Sequence, residues 1–239
     1  MTVLAAVLIA AVAGFAQSVS GFGFALLSVP LLVPFVGAPA AVVAATGLGF
    51  VLSVGTSVHQ RAHIPWRTVV VVSSTALIGL PVGLLALRLL DARWLSLLIG
   101  CVVIGMTVLI ARPRTRPVPG RAVGVAGVVS GALLTSTGMN GPPLVLALQG
   151  AGLTPRAFRA CLQAAFALQD IAAIIGFAVV GRIGSDALTV VAAGIPGLAV
   201  GWLIGDRVFS RIDPKTFRRL VLALLVATGT LAVVQAILG

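Results

Sequence analysis

Apolar residues run through this chain in long blocks separated by short charged or Pro/Gly-rich punctuation. Eight blocks stand out: residues 2–36, 39–58, 67–88, 94–111, 122–150, 157–180, 187–206 and 217–238. Their length, and the lack of ten-residue segments alternating apolar with polar, predicts membrane-spanning helices and not a β-barrel. Two blocks are longer than one crossing needs and carry a break of small residues. The first is interrupted at Ser20-Gly21-Phe22-Gly23, the second at Thr137-Gly138-Met139-Asn140-Gly141. Each break is flanked by apolar sequence and followed by prolines. Further on, GLPVG at Gly79–Gly83 is matched by GIPG at Gly194–Gly197. The chain therefore reads as a duplication, residues 1–111 and 122–239, joined by the basic, Pro-rich linker 112–121. A broken helix opening each half is the pattern of a secondary transporter.

Composition narrows the class. Hydrophobic residues make up 59% of the chain, charged residues 9%, and mean hydropathy is +1.19. So few charges could not cover a water-soluble surface. The first block has no basic residue before it and no small-residue cleavage site, and is expected to be a retained helix. The net charge of +11 sits in short loops without interleaved aromatics. It is read as topology signal and lipid headgroup contact, not as a nucleic-acid surface. Cys101 and Cys161 lie in apolar blocks without metal-ligand spacing and are expected to be packing residues.

Basic residues also test the topology. If each broken block counted as one crossing, the 16 Lys and Arg would split nine to seven between the two sides. If each instead returns to its starting side, only Arg88, Arg93 and Arg182 lie opposite the other thirteen, as the positive-inside rule requires. That choice gives an odd number of crossings per half. The expected fold is thus an all-α polytopic membrane protein of about eight segments in two inverted repeats, with both termini on the periplasmic side.

Breaking a helix inside a bilayer frees backbone N–H and C=O groups that are costly unless satisfied. The functional reading places the short helices after Gly23 and Gly141 with their N-termini toward a shared cavity, holding an anion on free N–H groups and the helix dipole. Candidate substrate-binding residues are Gln17, Ser20, Gly21, Phe22, Gly23, Thr137, Gly138, Met139, Asn140 and Gly141. The competing reading is close helix packing through small residues. Asp170 lies well inside an apolar block, in a chain without Glu. Gln163, two turns earlier, shares its helix face, and Gln169 adjoins it. Asp170 with Gln163 is the candidate proton-coupling pair; a structural polar cluster is the alternative. Thr46 is a weaker candidate for the same cavity. Pro81 and Pro196 are expected to bend their helices. His59 and His63 are four apart but lack a third ligand, so no metal is expected. Asp91, Asp186, Asp206 and Asp213 are expected to make ordinary surface pairs.

The stretch GFAQSVSGFGFALLSVPLL, the later TGMNGPP, and the paired GLPVG and GIPG resemble the TauE/SafE family of sulfite exporters and toluenesulfonate uptake permeases. The resemblance covers essentially the whole chain, in order. It implies transport of sulfite, sulfoacetate or other organosulfonates across the bacterial inner membrane. The chain departs from the family at the second break, where Gly138-Met139-Asn140-Gly141 stands in place of a G-x-G-G pattern, so the Asn140 side chain changes what that break presents.

The function expected is a secondary transporter of small anions, working as an exporter, with protons or the membrane potential as driving force. A proton-independent channel or uniporter, or a carrier of a different organic anion, is the alternative. No nucleotide-binding loop occurs, no catalytic dyad can be assembled at membrane depth, and no cofactor is implied. The expected partners are the small anionic substrate, the lipid bilayer and protons, with self-association left open and nucleic acid excluded.

Overall fold

The structure is a computed structural model and describes residues 2–111, 120–148 and 151–209. These residues form nine α-helices and one 3-10 turn: α1 (Thr2–Ser20), α2 (Phe24–Val36), α3 (Ala38–His59), the turn Arg61–His63, α4 (Trp66–Leu89), α5 (Ala92–Ala111), α6 (Gly120–Thr137), α7 (Gly141–Leu148), α8 (Pro155–Val179) and α9 (Ser185–Phe209). No strand occurs among them. The long apolar blocks became helices because a backbone in hydrocarbon must satisfy its own polar groups. The stretch 112–119 and the expected last block, 217–238, lie outside the described residues. Helix α6 starts at Gly120, within the expected linker.

Among the described residues, five helices, α1, α3, α4, α8 and α9, are long and apolar enough to cross a membrane. At about 1.5 Å per residue, α2 (13 residues) and α7 (8 residues) fall short of the roughly 30 Å hydrocarbon layer. Large apolar side chains point outward, among them Ile78, Val82 and Leu89 of α4 and Ile175 and Val179 of α8. In water each would cost about 25 cal/mol per Å² left exposed; against lipid tails they cost nothing. This is a multi-pass membrane protein.

Two helix pairs meet with backbone nearly on backbone. On α4, a methyl group added at Gly79 or Gly83 would run into the carbonyls of Val128 and Ala132 on α6; Gly127 and Gly131 of α6 approach Val72 and Ala76 in return. On α9, Gly197, Gly201 and Gly205 lie successively against Val7, Ala11 and Phe15 of α1. Contacts advance in the same direction along both partners, so α1 runs parallel to α9 and α4 parallel to α6. The broken helices α1 and α6 thus pack on the GIPG helix α9 and the GLPVG helix α4. Pro81 and Pro196 sit inside continuous helices.

Candidate functional site

Both breaks turn on glycine. Gly21 ends α1 at φ 82° and Gly138 ends α6 at φ 78°, left-handed conformations that oppose a side chain. Their amides close the last turns onto Gln17 O (2.7 Å) and Leu134 O (2.8 Å). The same offset separates Ser20 from Thr137 at the helix ends, Phe24 from Gly141 where the helices resume, and Ala38 from Pro155 at the next helices. The two breaks abut, since a Cβ on Gly141 would lie 3.3 Å from Phe22 Cβ.

At the first break, two glutamines link the groups that the interruption frees. The Phe24 amide, first of α2, donates to Gln17 Oε1 (3.2 Å). Gln17 Nε2 donates to Gln163 Oε1 (3.2 Å), and Gln163 Nε2 donates to the Gly21 carbonyl (2.8 Å). At the second break, Asn140 Nδ2 donates to Asp170 Oδ1 at 3.3 Å. The Ser130 hydroxyl lies within reach of Asn140 O (2.9 Å) and Gln169 Oε1 (2.8 Å), and Gln169 Nε2 reaches Val72 O (3.4 Å). One helix, α8, therefore holds both breaks, through Gln163 on one and Asp170 and Gln169 on the other.

Between the breaks is a cavity of about 20 Å³, room for about one water. Of the residues singled out in the sequence, Gln17, Gly23, Gly138, Met139, Asn140, Gly141, Asp170 and Thr46 line it. Ser20, Gly21, Phe22, Thr137 and Gln163 do not. The hydroxyls of Ser20 and Thr137 turn back onto their own helices, donating to Ala16 O and Leu133 O (2.7 Å each), while Gln163 acts one step behind Gln17. Residues not singled out also reach the cavity: Gly49 and Ser53 of α3, Phe166 of α8, and Ala25 and Leu26 at the start of α2. Gly49 admits Asp170, whose Oδ2 would be 3.6 Å from a Cβ there. The offset between the halves, already present in the sequence, carries Ser53 onto Asp170 and would have found it.

Asp206 is paired differently from the expected surface contact. It lies 3.6 Å from the guanidinium of Arg159, which is buried within α8, with its side chain stem packed on Gly21. A cation thus stands beside the first break, and nothing in the sequence marked it. His59 ends α3 and His63 lies in the 3-10 turn, both exposed and neither lining the cavity. Cys161 is buried in α8 and Cys101 is exposed on α5.

A membrane-embedded pair of broken helices around a polar cavity is transporter architecture, and comparison with known proteins agrees. The family model described as "Sulfite exporter TauE/SafE" matches residues 6–231. The chain belongs to the TauE/SafE family. It is also similar to a Cupriavidus necator protein described as "Probable sulfite/organosulfonate exporter TauE", with 27% identity over 237 residues, covering 92% of this chain and 90% of that one. No solved structure matches. Members of this family are membrane transport proteins, and the chain is a transporter and not an enzyme.

Proposed function

We propose that this chain is a secondary transporter that exports small anions such as sulfite, sulfoacetate or other organosulfonates across the bacterial inner membrane, by alternating access around its paired helix breaks. The observation that carries the reading is the juxtaposition of both breaks on one cavity, which the first residues of α2 help to line. Oriented N–H groups at a helix start attract negative charge without requiring a basic side chain in the hydrocarbon.

The cavity has room for about one water, so the helices around it must part to admit sulfite. Inverted repeats supply the motion. Arg182 Nη2 donates to the Arg88 carbonyl (3.0 Å), so α9 starts at the end of the bundle where α4 stops. α4 and α9 therefore run in opposite directions, and so do their parallel partners α6 and α1. This opposition supports two inverted halves, 1–111 and 122–239, that rock against each other.

Asp170 is the proton-coupling residue of this mechanism. A substrate anion and a charged carboxylate in so small a space repel each other, and a proton on Asp170 removes that repulsion. Anion and proton then move together, so export runs down the anion's own outward gradient and an inward proton gradient opposes it. Gln163 holds the first break while this happens.

The test is flux in proteoliposomes: sulfite, sulfoacetate and thiosulfate, each with and without an imposed pH gradient. Saturable flux that responds to the gradient is expected. Saturable flux that ignores it would replace proton coupling with uniport, and no flux of any of the three would remove the substrate class.

A further inference from the structure

The cavity is built from two equivalent halves that are not equally filled. The offset that carries Phe24 onto Gly141 also carries Gly23 onto Asn140, Thr46 onto Gln163 and Ser53 onto Asp170. In the second half, a carboxylate on α8 meets an amide at the break, at 3.3 Å. In the first half, the same two positions hold a hydroxyl and a glycine with no side chain.

Ser53 is 1% exposed, and its hydroxyl has no hydrogen-bond partner among the described residues. A buried serine in a helix ordinarily bonds the carbonyl one turn back, as Thr46 does to Val42 O (2.9 Å) and Thr56 to Leu52 O (2.8 Å) on the same helix. Ser53 does not, and neither do Ser18, Ser28, Ser57 and Ser73, but among these described serines Ser53 alone lines the cavity. An unsatisfied buried hydroxyl is costly, about 1–3 kcal/mol.

The second observation is the start of α2. Its N-cap, Gly23, offers no side-chain cap. The Phe24 amide is taken by Gln17 and intrahelical bonding resumes with Leu27 N to Gly23 O (3.2 Å). The amides of Ala25 and Leu26 are left without a protein acceptor among the described residues, and both residues line the cavity. At α7 the equivalent positions are Pro142 and Pro143, which have no N–H to offer.

We infer that the substrate's oxyanion is seated in the first half of the cavity, by the Ser53 hydroxyl and the Ala25 and Leu26 amides, while the second half is filled by the protein's own carboxylate, Asp170 on Asn140. The resident pair stands where a second anion would otherwise bind, so the transporter holds one anion at a time and distinguishes its substrate at Ser53. Oxyanions of sulfur, with oxygens to accept several donors at once, fit this donor set. The assignment deepens the anion transport proposed above and holds only if the chain carries anions.

The experiment compares wild type, Ser53→Ala and Ser53→Asp in detergent and in proteoliposomes, with sodium sulfite as the probe. Ser53→Ala removes an unsatisfied hydroxyl, so without sulfite it is expected to unfold no earlier than wild type. The stabilisation by sulfite should shrink, and the KM for sulfite flux should rise about tenfold, the loss of one hydrogen bond to a charged group. Ser53→Asp puts a carboxylate where the oxyanion would sit, with Gly23 giving it no amide partner, and is expected to be indifferent to sulfite and without flux. Wild-type KM and wild-type sulfite stabilisation in Ser53→Ala would overturn the seat while leaving transport intact. Wild-type protein that is neither stabilised by nor carries sulfite, sulfoacetate or thiosulfate would overturn anion transport, and the seat with it.

Discussion

Gln163 on α8 donates from Nε2 to the carbonyl of Gly21, 142 residues earlier in the chain, at 2.8 Å. That carbonyl belongs to the end of α1, where no following turn exists to bond it. Water does this at the surface of a soluble protein; here a side chain from the other half does it.

Replacing Gln163 by Leu is therefore expected to cost stability through two orphaned groups, the Gly21 carbonyl and Gln17 Nε2. A loss of about 1–3 kcal/mol follows from leaving buried polar groups unpaired. Thermal unfolding in detergent measures it. Gln163→Leu with wild-type stability would show that the glutamine bridge does not hold the break.

Asp170 makes a separable prediction. Asp170→Asn keeps the size of the side chain and its ability to accept from Asn140 Nδ2 through its own carbonyl oxygen. The protein is expected to fold and to bind sulfite, while flux loses its response to a pH gradient. Proteoliposomes with and without the gradient measure this. An undiminished response in Asp170→Asn would remove Asp170 from coupling.

The glycines divide into those that are space and those that are not. Gly197→Leu would thrust a side chain into the carbonyl of Val7 where α9 crosses α1, whereas a Cβ on Gly55 meets nothing. Gly197→Leu is expected to abolish a monodisperse folded species. Gly55→Ala is expected to be neutral or to stabilise by up to about 1 kcal/mol, since alanine is the better helix former. Size-exclusion profiles and melting temperatures separate the two.

The helices and their breaks were legible in the sequence because hydrophobic blocks and glycine-rich interruptions are local properties. The residues that meet across the bundle were less so. Gln17 and Asp170 could be chosen because polar groups inside apolar blocks are rare, but Ser53 sits in an unremarkable run, VLSVGTS, and was visible only through the offset between halves. Pairing of Arg159 with Asp206 was hidden because both look like residues at span ends, whereas in the fold Arg159 is buried with its stem against Gly21. GLPVG and GIPG were recognised as a pair, yet what they do, close approach to α6 and α1, depends on which helices become neighbours.

Topology gives the last prediction. Arg88 and Arg182 meet at one end of the bundle, and the positive-inside rule assigns that end to the periplasm. Arg61, in the turn between α3 and α4, belongs to the opposite end, because α4 runs from it to Arg88. With Cys101 and Cys161 replaced by Ser, single cysteines at Arg61 and Arg182 should react with an impermeant thiol reagent from opposite sides: Arg182→Cys in intact cells, Arg61→Cys only in inverted vesicles. Reporter fusions at residue 239 should behave as periplasmic and those within 112–121 as cytoplasmic. Labelling of both cysteines from one side would break the inference that α4 crosses, and with it the inverted halves. A clean reversal of sides would keep the inverted architecture and turn the whole bundle over in the membrane.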